Sequence, residues 1–154
     1  MKRLLNRRTM MITIVLLLGA IPVAAVERPF ALNGSGVAAF ITDGAGNIIG
    51  ANVTGSGTAT HLGSWTLVGS VTFTPDNGVL RSHPVATVTA ANGDKLEMVG
   101  DGALDPAAGT DHGIFHFAGG TGRFAGASGS ADFVVTINPI TGGFEVTSVG
   151  SINF

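Results

Sequence analysis

The chain has 154 residues, 24 of them glycine, with no cysteine and 12% charged residues. That length holds one domain and one core, and the lack of cysteine excludes disulfides, thiol catalysis and cysteine-based metal sites. Four of the eight basic residues lie in the first 25, leaving four basic against ten acidic side chains over 26–154, a net charge of −6, which argues against nucleic acid and anionic membranes as partners.

Residues 1–25 read as a signal peptide. Lys2, Arg3, Arg7 and Arg8 make a positive start, Met10–Leu18 an apolar core, and small residues at Val23 and Ala25 a cleavage site. The core is shorter than the roughly 20 residues of a spanning helix. The processed chain is therefore expected to have no membrane span and to be secreted or periplasmic, with 26–154 as one domain. "NRRTMM" also loosely fits a twin-arginine signal.

After residue 25, glycine leaves no window long enough for an amphipathic helix. Strands are signalled instead, in chain order. "GVAAFIT" runs into the turn "DGAGN" and out through "IIGANVTGSGTAT"; "GSWTLVGSVTFT" reaches "PDNG", a turn with proline at its second position. "PVATVTAANGDKLEMVG" holds a hairpin in which Asn92-Gly93 supplies the positive φ angles of a type I′ turn. "HGIFHFAGG" and "SADFVVTIN" flank a glycine-rich stretch, and "PITGG" turns the chain into "FEVTSVGSINF". About eight consecutive hairpin-linked strands predict an all-β fold, an eight-stranded antiparallel barrel that closes its own edges, with a two-sheet sandwich as the alternative. Phe133, Val135 and Ile137 are expected to pack inside against Phe144, Val146 and Ile152. The echoes "GSGVAAF", "GSGTATH" and "ASGSADF", and the pair "VGSVTF" and "VGSINF", suggest strand glycines where a small barrel bends; composition alone is the competing explanation.

The glycine-rich run "FAGGTGRFAGASGSADF" lacks the following helix that a dinucleotide fingerprint needs, and no Lys-Ser or Lys-Thr makes it a P-loop. It reads as a strand connection, with Phe124 tucked under the corner and Arg123 at the surface or in an ion pair. His112 and His116 share one face of a strand with Ile114 between them. With Asp111 or Asp101 they could form a two-histidine, one-carboxylate metal site, but no spacing fixes a third ligand, so no metal is assigned. Glu97, Asp101 and Asp132 are the candidates for general acid–base chemistry. No Gly-x-Ser-x-Gly elbow supports a serine hydrolase, and Trp65 alone, with no tyrosine, is too little for a sugar-stacking surface.

"GSGTATHLGSWTLVGS", "VTAANGDKLEMVGDG" and "FAGGTGRFAGASGSADF" together resemble exported bacterial proteins of the allene oxide cyclase barrel-like type. "GGTGRFAGASG" is also similar to a segment of plant dirigent proteins, which share that barrel. The resemblance covers nearly all of 26–154. It implies an eight-stranded antiparallel barrel with an apolar cavity, often oligomeric, and gives no pattern that places the family's functional groups on this chain. Two functions follow as expectations. One is a non-catalytic barrel that holds a small apolar ligand or is structural, without a cofactor. The other is a cyclase-like or dirigent-like catalyst, which calls for polar groups in the cavity, with Asp101, His116, Asp132 and Glu97 as candidates.

Overall fold

The computed structural model describes residues 26–154; the expected signal peptide lies outside the described residues. Eight antiparallel strands run β1 Arg28–Thr42, β2 Ile48–Ala59, β3 Gly63–Asp76, β4 Val79–Ala90, β5 Lys95–Asp105, β6 Thr110–Gly120, β7 Ser128–Ile137 and β8 Gly143–Asn153. Each pairs with the next, and β8 pairs back onto β1, so the sheet closes into a barrel. Closure leaves no free edge, and the sandwich alternative is set aside. β1 is longer than "GVAAFIT": Arg28–Val37 is held against β8, with Pro29 near the strand start, where its missing N–H costs least.

Alternation sets the two faces of the wall. On β7 and β8 the expected residues do face inward: Phe133, Phe144, Val146 and Ile152 are buried, and Val135 and Ile137 pack on them half-buried. The two "GSG" runs turn out to be partners, with Gly34 opposite Gly57, Ser35 opposite Ser56 and Gly36 opposite Gly55. Their four glycines leave bare backbone inside the barrel. The Trp65 indole lies over Gly34 and Gly57, and the Phe144 ring over Gly36 and Gly55. The other echo also has a shared geometry. Gly69 and Gly150 face inward opposite Ala86 and Ala131, and a Cβ on either glycine would strike the facing alanine.

Turn chemistry differs from the expectation at two hairpins. Asn92 does not have positive φ; only Gly93 does, at 89°. Gly93 N–H donates to Ala90 O and Ala90 N–H to Asp94 O, the pattern of a three-residue loop in which a type I turn ends in a left-handed glycine. The type I′ turn lies instead between β3 and β4, where Asn77 (φ 50°) and Gly78 (φ 91°) join the directly paired Asp76 and Val79. Pro75 is a strand residue opposite Leu80, not part of that turn.

The barrel's two ends differ. At the end that carries both chain termini of the domain, Leu62, Trp65, Val88, Leu96, Phe124 and Ile152 are all within 2% of full burial. The glycine-rich run forms this plug: after β6 it makes a single turn of 3₁₀ helix, Gly122–Phe124, which drops Phe124 into the core. Arg123 stays outside, over the Phe124 ring and 3.8 Å from the Asp94 carboxylate. At the opposite end, beside the β1–β2, β3–β4, β5–β6 and β7–β8 turns, the inward side chains Phe40, Val71, Leu80 and Ile137 are only half-buried.

Candidate functional site

Inside this half-open end is a cavity of about 80 Å³. Phe40, Phe73, Phe115, Phe133 and Phe144 contribute five rings to its lining, and aliphatic residues such as Ala51 and Met98 fill most of the rest. One lining residue is charged: Asp111. The volume exceeds what one water needs, about 10–15 Å³, and falls well short of a drug-sized pocket, about 300 Å³ or more.

Asp111 is the second residue of β6 and shares the inward parity of Phe115 and Phe117. It is 6% exposed. Burial pushes its carboxyl above the ordinary carboxylate value, and the Ser82 hydroxyl and the neighbouring His112 only partly offset that. Ser82, fully buried on β4, donates to Asp111 Oδ1 at 2.9 Å. The two residues lie on strands separated by β5, so their hydrogen bond crosses over an intervening residue. That residue is Gly102, which is opposite Ser82. A Cβ there would sit 2.6 Å from Ser82 Oγ, 2.7 Å from Phe133 Cζ and 2.9 Å from Asp111 Oδ1. The missing side chain of Gly102 thus makes room for the hydrogen bond and brings the Phe133 ring edge beside the carboxylate. Phe133 stacks on Phe115, ring centres 4.2 Å apart.

The expected catalytic residues do not enter this cavity. Asp101, His116 and Asp132 are exposed on the outer wall, and Glu97 is half-buried there. The physical reason is parity: on β5 the inward positions are Leu96, Met98, Gly100 and Leu104; on β6, Phe115 and Phe117; on β7, Ala131 and Phe133. Asp101 meets His83 Nδ1 at 2.7 Å in an exposed pair, and Glu97 accepts from the Thr87 hydroxyl. His112 and His116 do share the outer face with Ile114, but Asp111 points the opposite way, and no group of three residues able to hold a metal exists among the described residues. A larger hollow, about 410 Å³, lies on the outer wall between Arg81, His83 and Asp101 on one side and His112 and Ile114 on the other. Its walls are solvent-exposed side chains and its floor is Gly102, Ala103 and Gly113. Of the two, only the inner cavity is enclosed by mainly apolar side chains, the usual character of a small-molecule site.

Sequence reasoning placed Asp111 only as a partner of the outward histidines. Its even spacing from Phe115 and Phe117 was the signal for an inward carboxylate. Ser82 carried no such signal, because serine is ordinary on either face of a strand.

No family model matches the chain, and no curated protein does. Among solved structures, the chain is similar to the pterocarpan synthase dirigent protein PsPTS1, with 14% identity, 84% of this chain and 95% of that chain covered, and a TM-score of 0.58. It is similar also to the pterocarpan synthase dirigent protein GePTS1, with 14% identity, 82% and 84% covered, and a TM-score of 0.54. At this identity the likeness shows the fold alone: the chain shares its eight-stranded barrel with these dirigent proteins.

Proposed function

We propose that this dirigent-like barrel binds a small, largely apolar molecule in its half-open end. The observation that carries the reading is the cavity itself, walled by aromatic and aliphatic side chains around one buried carboxylate. A barrel serving only as a structural brick gains nothing from the hollow, since each unfilled volume forfeits packing. The test is a titration of isotope-labelled protein with benzene and n-butanol, followed by NMR. Saturable shifts gathered at Met98, Phe133 and Val146, and abolished by Ala51→Leu, support the reading. Shifts scattered over the outer wall, or none near solubility, refute it.

Asp111 favours a second reading, in which the barrel guides a reaction of its ligand. A carboxyl held protonated above its usual range can give a proton to a ligand oxygen and take one back. The two structural neighbours are named as pterocarpan synthases, which is an analogy of fold and not of site. Under this reading Asp111→Asn keeps ligand affinity and loses turnover of a ligand with a labile oxygen function. Turnover unchanged in that variant removes Asp111 from the chemistry.

A further inference from the structure

We propose that the ligand of this cavity is a small apolar amine, held as its ammonium ion against Asp111 and among the phenylalanine rings. The proposal rests on the reading of the cavity as a ligand site, and three observations carry it.

The first is the missing counter-charge. Asp111 lines the cavity at 6% exposure, Ser82 is its side-chain hydrogen-bond donor, and no basic side chain is in the lining. A buried carboxylate without a cation is costly to ionise. A ligand ammonium beside it supplies the missing charge and favours its ionised form.

The second is the character of the walls. Five phenylalanine rings surround the space, and the stacked pair Phe115–Phe133 reaches the carboxylate at Gly102. Aromatic faces attract cations, and a ring-lined cage is a recurring way of binding an ammonium group while packing its hydrocarbon. A neutral alcohol uses the hydrocarbon contacts and gains nothing from the ring quadrupoles.

The third is the charge of the mouth. Outside the buried Asp111, four carboxylates, Asp43, Asp76, Asp105 and Glu145, lie at the half-open end, against one basic residue, Arg81, which pairs with Asp76 at 2.9 Å. Four carboxylates against one guanidinium leave three excess negative charges there. At the plugged end Arg28, Lys95 and Arg123 balance Glu27, Asp94 and Glu97. Of the other acidic residues, Asp101 and Asp132 lie mid-wall and Asp111 is buried in the cavity. Half of the domain's formal charge of −6 therefore surrounds the entrance, and none of the plugged end's charge is in excess. Its hydrogen bonds with Asn47 hold the Asp43 carboxyl below its usual range, so it stays ionised. Such a field raises the local concentration of cations and opposes anions.

The test uses three probes of one shape and different charge, n-butylamine, n-butanol and butyrate, titrated by NMR at pH 7.5 and low salt. The expected result is butylamine binding at least tenfold more tightly than butanol, with butyrate excluded. Asp111→Asn should remove the preference, so that butylamine binds no more tightly than butanol in that variant. In the double variant Asp43→Asn/Asp105→Asn the amides keep the oxygen acceptors of their turns; it should weaken butylamine about threefold and flatten its salt dependence. Butanol binding as tightly as butylamine, or butyrate entering the cavity, overturns the amine assignment and leaves the cavity reading intact. Failure of all three probes to reach the cavity overturns the cavity reading itself. Should Asp111→Asn not fold, the double variant decides: butylamine affinity indifferent to both mouth charges and salt overturns the proposal.

Discussion

Asp111 couples the site to stability. Its folded carboxyl titrates above the 3.8 of the free group because burial disfavours the charge. Between those two values the native state binds more protons than the unfolded chain, so stability falls as pH rises. The contribution is full below about pH 3.8 and is lost as pH climbs through the folded value. Asp111→Asn carries no such proton, and its stability should decline less over that window. Chemical denaturation of both proteins at pH 3.5, 5 and 7 measures it: the variant should gain on the native chain with rising pH, and parallel curves would show Asp111 solvated. Gly102 is the neighbouring test. Gly102→Ala puts a Cβ within 3 Å of Ser82 Oγ, Phe133 Cζ and Asp111 Oδ1, an overpacking that costs about 1–3 kcal/mol. Val99→Ala, on the outer wall of the same strand, should cost far less, and urea melts of the two compare them directly.

At the scale of the element, the fold was legible from alternation and turns, and the site was legible only in part. Strand parity is a property of the sequence alone, so the inward set on β7 and β8 could be read directly. Loop geometry was not, because Asn-Gly suits two different hairpins and the choice depends on how the strands register. Asn77-Gly78 joins directly paired residues and must take the tight left-handed path; Asn92-Gly93 has Ala91 as a third loop residue and needs only the glycine in that region. The two asparagines should therefore respond differently to alanine. Asn77→Ala leaves the left-handed position without the short polar side chain that tolerates it, which donates to Asp76, and should cost about 1 kcal/mol. Asn92→Ala loses only exposed hydrogen bonds with Asp94 and should cost about half as much or less. Equal losses in thermal melts would mean the tight turn is not the strained one. The acid–base candidates were chosen by residue type and proximity in sequence, without parity, and so fell on the outer wall while Asp111 went inside.

Taken as a whole, the barrel is solid at one end and hollow at the other, and the two ends should answer oppositely to changes in volume. Glycine makes the difference possible. Where Gly34, Gly36, Gly55 and Gly57 bare the backbone, the Trp65 and Phe144 rings approach it closer than a side chain would allow. Phe124, brought in by the 3₁₀ turn, then caps the plugged end at 0% exposure. Phe124→Ala removes a ring that packs edge-on against Phe154 from a region with no slack, and should cost about 3–5 kcal/mol. Ala51 is also buried, at 1%, but it borders the cavity between Phe40 on β1 and Val71 on β3. Ala51→Leu adds hydrocarbon where about 80 Å³ is free, so the addition should be neutral or stabilise by up to about 1–2 kcal/mol. The same substitution takes the space the ligand needs, so the more stable protein should bind butylamine and benzene at least tenfold more weakly. Calorimetry and NMR titration on one preparation measure both effects. A destabilised Ala51→Leu that still binds would show the hollow end to be as tightly packed as the plug, and the division of the barrel into a structural end and a binding end would fall with it.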